Sequence, residues 1–192
     1  MKIKSYALIV FLAASLVGCL IPEKFTASLA VKPDASYTYS YEGTAVHFFA
    51  AAAIKEKGAI AAKDEDALKK EAEKISKTPG FKKLNYIGQG RYEVSFTQNI
   101  NAGQQPQTLK IFSFTKDKDG IFNIGQPAMK AKELSDLKSM GIKINGRVEV
   151  ALPSNALVIA HNATSTPGFF KKAYGWDVSA PDQPAFLRFK LN

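Results

Sequence analysis

The sequence predicts an α+β fold, with a mostly antiparallel β-sheet and two or three helices in a single domain. Three observations carry this reading. Period-two alternation of apolar and polar residues recurs in short segments between Phe25 and Leu191. Lys63 to Lys77 follows the helical period instead, and Ala131 to Met140 reads as a second, shorter helix. Turn residues join these segments, and no linker is long enough to divide them into two domains. The sequence has no internal repeat and no low-complexity tail.

The first segment is not part of that domain. Lys2 and Lys4 make a short basic start, and Tyr6 to Val17 is uncharged and mostly apolar. A bilayer-spanning helix needs about 20 apolar residues, and this run is shorter. A basic start, a short apolar core and a small residue at the cut, here Gly18, make a secretory signal. Leu16-Val17-Gly18-Cys19 ends the run and holds the single cysteine of the chain. This stretch resembles the lipobox of bacterial type II signal peptides. The resemblance implies that the Cys19 thiol receives a diacylglyceryl group, that the chain is cut before Cys19, and that the new amine is acylated. Residues 1–18 are then the signal peptide, residues 19–24 a lipidated N-terminus with a short tether, and residues 25–192 the globular domain. One acyl chain holds a protein only marginally, so several are needed for a stable anchor. The location implied is the cell envelope. With Leu20 rather than an aspartate after the cysteine, it is the outer membrane in a Gram-negative cell, facing the periplasm.

The strands and helices follow in order. Phe25 to Val31 reads as a strand and Lys32-Pro33-Asp34-Ala35 as a turn. In the next strand Tyr37, Tyr39 and Tyr41 alternate with Thr38, Ser40 and Glu42. We read this ladder as a half-buried sheet face with hydroxyls reaching water, in preference to a stacking platform for a ligand. Phe48 to Ile54 is ambiguous: its alanines favour helix, while the preceding residues continue the strand. In the helix from Lys63, Asp64, Glu65 and Asp66 crowd the start and Lys74 and Lys77 the end, as the macrodipole prefers. Leu68, Ala72 and Ile75 form its apolar stripe, and Thr78-Pro79-Gly80 stops it.

Tyr92, Val94 and Phe96 mark a clean alternating strand. Leu109 to Thr115 reads as a strand covered on both faces, and Asp119-Gly120 as a hairpin turn into Ile121 to Ile124. Gly141 closes the short helix. Asn145-Gly146 looks like another hairpin turn, yet Ile142, Ile144, Val148, Val150 and Leu152 keep one phase straight through it. A two-residue turn would throw Val148 and Val150 onto the wrong face, so this is one long strand with Gly146 as a bend or bulge. Ala156 to Ala160 is uniformly apolar and reads as a buried strand. Tyr174, Trp176 and Val178 alternate, residues 179–184 form a proline-rich turn, and Leu187, Phe189 and Leu191 close the sheet.

The formal charge is +9, and the lysines are spread along the chain. This basic balance suits anionic headgroups and other envelope polyanions, but with the lysines so spread we read it as general solubility in preference to a dedicated patch. Export argues against a nucleic-acid partner. The sequence has two histidines and one cysteine, and no G-x-S-x-G, H-E-x-x-H or phosphate-binding loop. Asp117 and Asp119 beside Gly120 read as turn chemistry. His47 has no partner at ligand spacing, so no metal or cofactor is expected, and a non-enzymatic role is expected with them.

The best candidate surface is Phe169-Phe170-Lys171-Lys172, after the loop signal Thr166-Pro167-Gly168. Adjacent phenylalanines in one strand point to opposite sides, so at least one ring is expected to be exposed or to cover an opening. The patch suits a membrane interface or the lid of a hydrophobic pocket; otherwise the rings tuck back onto the sheet. Phe25 to Gly43, Gly146 to Asn162, Trp176 and the closing strand resemble the LppM-type bacterial lipoprotein domain. That resemblance implies an envelope-anchored α+β fold that binds a lipid or other hydrophobic ligand. Some members carry a C-terminal membrane helix, and no such segment follows Leu191 here. The other expectation is an envelope scaffold that acts through a protein partner, for which an exposed aromatic patch would speak.

Overall fold

The computed structural model describes residues 19–178 and 184–192. The signal peptide assigned to residues 1–18, and nearly all of the proline-rich turn, lie outside the described residues. Among the described residues ten strands and three helices make an α+β fold with two sheets. The larger sheet contains β1 (Leu20–Val31), β2 (Tyr37–His47), β3 (Phe81–Gly88), β4 (Arg91–Ile100), β7 (Asn145–Ala151) and β9 (Tyr174–Val178). Their spatial order is β3-β4-β2-β1-β7-β9, antiparallel except where β1 lies parallel to β7. The smaller sheet is antiparallel, in the order β5-β6-β10-β8, from β5 (Ser113–Lys116), β6 (Phe122–Gly125), β8 (Ala156–His161) and β10 (Phe186–Leu191).

One core joins the two sheets. Tyr37 meets Phe114 edge-on at 5.0 Å between ring centroids, and Tyr39 meets Phe112 at 6.1 Å. The ladder on β2 therefore faces the second sheet, and Tyr37, Tyr39 and Tyr41 are fully buried. This corrects the expectation that their hydroxyls reach water. Each hydroxyl donates instead to a backbone carbonyl: Tyr37 to Gln104, Tyr39 to Leu109 and Tyr41 to Thr44. Period two shows that one face of a strand is apolar, but not how deeply that face is covered. Beyond the second sheet, α2 (Ala62–Ile75) covers the same face, with Ala72 in one cluster with Leu84, Tyr92 and Phe96.

Tyr92 differs from its neighbours. It is fully buried, but its hydroxyl has no hydrogen-bond partner among the described residues. A buried hydroxyl without a partner costs about 1–3 kcal/mol of desolvation. Tyr92→Phe is expected to leave stability unchanged or raise it by about 1 kcal/mol, whereas Tyr39→Phe, which removes a buried hydrogen bond to the Leu109 carbonyl, is expected to lower it. Urea unfolding of the two variants checks the contrast; equal losses would mean that Tyr92 has a partner after all.

Three other elements depart from the sequence reading. The long apolar phase from Ile142 to Leu152 does pass through Gly146 without turning back, but the strand itself starts only at Asn145. Gly146 is required because the Phe25 ring lies over it: a Cβ there would sit 2.4 Å from the ring. Of Leu109 to Thr115, only Ser113 onward joins a strand, because Leu109 turns to φ 41° and breaks the extended run. The apolar strand Ala156 to Ala160 is not buried on both faces. It is the edge of the smaller sheet, with Leu157 57% and Ile159 45% exposed. Its inner face packs on the core, while nothing among the described residues covers the outer face.

The ambiguous stretch is helical. His47 ends β2 and caps α1 (Phe48–Lys57), its Nδ1 accepting from the Ala50 amide, and Gly58 at φ 80° ends the helix. The third helix, α3 (Ala131–Ser139), packs beside it through a small cluster of Val46, Ala51, Leu137 and Ile142. Lys55 Nζ donates to Ser139 Oγ at 2.7 Å across the two helices.

Candidate functional site

The segment assigned as a lipidated N-terminus and short tether, residues 19–24, is strand from Leu20 onward. Leu20, Ile21 and Pro22 pair with His47, Val46 and Ala45, and the register then slips before Phe25 resumes it opposite Gly43. Three apolar residues follow Cys19 directly, so this segment gains more by joining the sheet than by staying in water. The bulge at Glu23-Lys24 bends the strand, as an extra residue in one strand does. Arg91 clamps it by a fork onto the Glu23 carboxylate, with Nε at 3.1 Å and Nη2 at 3.2 Å.

This bent start of β1 forms one wall of a cavity of about 370 Å³. Leu20, Ile21, Pro22 and Phe25 line it from β1, Leu109 and Ile111 from the loop before β5, Ile144 from the residue just before β7, and Val178 from the end of β9. The volume falls within the range typical of small-molecule sites. Its few polar members are Gln107, Lys110 and Gln126. Gln126 is already engaged, its Oε1 accepting from the Ala185 amide at 3.1 Å. Lys110 is the one cationic residue among those lining the cavity. An apolar pocket with a cation at its wall suits a ligand with an acyl or similar body and an acidic or polar head.

A second hollow, of about 510 Å³, lies between α1 and α2 and is lined by His47, Phe49, Leu68, Asp64 and Glu71 among others. Burial depresses the His47 pKa below its ordinary value, and its Nδ1 is occupied by the helix cap, so it serves structure as a neutral ring. No group of three or more His, Cys, Asp or Glu residues among the described residues is arranged to hold a metal ion. No helix among them is long and apolar enough to cross a membrane.

The predicted site residues fall at two separate places. Cys19 is partly exposed at the start of β1, next to Leu20 in the cavity wall. Phe169 and Phe170 are 96% and 93% exposed, so neither ring tucks onto the sheet, and neither lines the cavity as a lid. They stack edge-to-face at 4.9 Å on a turn closed by the Gly168 amide and the Lys171 carbonyl at 2.8 Å. Lys171 and Lys172 are exposed beside them. Sequence reasoning missed the cavity residues, which come from five distant segments. Leu20-Ile21-Pro22 was the available signal, since an apolar run after the cysteine is unlike a solvated tether.

No protein-family model matches this chain, and no match is found among curated proteins. Among solved structures, the fold is similar to the NMR structure of the folded domain of the LppM protein of Mycobacterium tuberculosis. The two are 11% identical, with a TM-score of 0.40, and the match covers 88% of this chain and 90% of that one.

Proposed function

We propose that this protein is a non-enzymatic envelope lipoprotein, anchored through lipid on Cys19, that holds a lipid or other hydrophobic ligand in the cavity at the start of β1. The supporting observation is the placement of that cavity. Its apolar wall begins with Leu20, one residue after the cysteine of the lipobox. A hydrophobic molecule leaving a bilayer at the anchor then meets the pocket without crossing much water, where its exposed apolar area would be costly.

Two experiments test the two halves of this reading. Replacing Cys19→Ser is expected to move the protein out of the membrane fraction; retention equal to wild type would mean that the anchor lies elsewhere. For the cavity, Ile144→Trp places a large ring in the open space. Lipid that copurifies with the wild-type protein, read by mass spectrometry, is expected to fall at least about tenfold, equivalent to about 1.4 kcal/mol of lost affinity. The melting temperature should hold, because Ile144 is only half-buried. Equal lipid in both proteins, or none in either, would refute the pocket as a ligand site.

A further inference from the structure

We propose that the Phe169–Lys172 tip docks onto an anionic bilayer other than the one that holds Cys19, so that the protein bridges two membrane surfaces. The inference rests on the Cys19 anchor proposed above and adds a second contact, independent of the cavity.

The register of the larger sheet sets the geometry. Tyr174 pairs with Val150, and Val150 with Leu29, so the start of β9 lies level with Leu29 on β1. Cys19 precedes Leu20 at the other end of the same strand. Nine residues of strand separate these levels, roughly 30 Å at about 3.3 Å each. The Phe169–Lys172 turn lies beyond the start of β9, because Ser165 pairs with Gly175 and the chain runs on past Tyr174 before it turns back. Since β1 begins one residue after Cys19, there is no free tether by which the domain could swing the tip back to its own anchor.

The chemistry of the tip selects an anionic bilayer as the partner. Two phenylalanines, each more than nine-tenths exposed, stand on a convex turn rather than in a groove. A convex apolar tip finds little to bury against a flat protein face, but inserts readily at the headgroup–acyl boundary. Lys171 and Lys172 flank it, and no Asp or Glu occurs from Val150 to Trp176. The carboxylates that border this stretch, Glu149 and Asp177, are both held by Arg147, at 2.7 Å and 3.1 Å. The lysine pair is therefore not neutralised by its nearest acids in the chain, and its charge is left for headgroup phosphates.

The test uses the full lipidated protein, reconstituted into neutral phosphatidylcholine vesicles and mixed with labelled acceptor vesicles. Acceptors containing phosphatidylglycerol are expected to be captured at least about tenfold better than pure phosphatidylcholine acceptors, and less well as salt is raised. Capture is expected to vanish in a Phe169→Ala, Phe170→Ala double variant and in a Lys171→Glu, Lys172→Glu double variant. The alanine variant should melt like wild type, since rings this exposed contribute little to the core. Flotation of the donor vesicles alone reads the anchor separately. A protein that does not float with them overturns the anchor, and the bridge with it. Flotation without capture, or capture unchanged in both variants, overturns the bridge alone. So does protection of Lys171 and Lys172 from amine labelling in donor vesicles without acceptors, which would place the tip on its own membrane.

Discussion

Raising the pH from about 10 to about 12 is expected to remove on the order of 8 kcal/mol of stability and to unfold the protein, whose total stability is expected to be about 5–15 kcal/mol. The cause is the buried tyrosine layer. Tyr39, Tyr41 and Tyr92 are all driven well above the ordinary tyrosine value, chiefly by burial that penalises the phenolate. Burial pushes Tyr37 up to about 12 in the same way. A tyrosine whose folded pKa is raised contributes its full stability below the unfolded value, near 10, and loses it as pH climbs toward the folded value. In that window the unfolded chain releases protons that the folded chain retains. Each of the first three tyrosines then costs about 1.4 kcal/mol per pH unit. Tyrosinate absorbance and loss of near-ultraviolet dichroism should therefore rise together in one step. Gradual ionisation from about pH 10 with the dichroism intact would show that the ladder is open to water. Tyr92→Phe removes one of these groups and should move the transition to higher pH.

Gly43→Ala is expected to cost about 4 kcal/mol, at the upper end for a single substitution, and to lower the melting temperature by about 10 °C. Gly43 adopts φ 154°, and a Cβ there would lie 2.1 Å from the Lys24 carbonyl oxygen and 2.6 Å from Phe25 Cα. Both are backbone atoms, so no side-chain rotation relieves the clash. The strands must part where β1 bulges, and that bulge turns Leu20–Pro22 into the cavity wall. Copurified lipid should fall along with stability, even in the folded fraction. Gly58→Ala is the control: it also has a positive φ, at 80°, but open space around it, so its cost is limited to backbone strain of about 1 kcal/mol. Equal melting temperatures for the two variants would mean that β1 and β2 are not held at this point.

The site was less legible than the fold because its members become neighbours only on folding. Leu20, Leu109, Ile144 and Val178 each read as an ordinary apolar residue of a separate segment. The Phe169–Lys172 tip was visible because its unusual feature, two rings beside two lysines behind a Thr-Pro-Gly signal, is local in the chain.

By itself the sequence determined what depends on near neighbours. The helix at Ala62–Ile75 follows from its period and end charges, and the turn at Asp119-Gly120 from a glycine that reaches φ 77°. The unbroken phase of Val148 and Val150 through Gly146 likewise ruled out a hairpin there, although the strand begins only at Asn145. Only the tertiary structure decided how much lies over each face. The same period-two pattern serves a tyrosine ladder sealed beneath a second sheet, and an all-apolar run becomes an exposed edge. Alternation is written into a strand by its pleat, whereas burial depends on which distant segment packs against it.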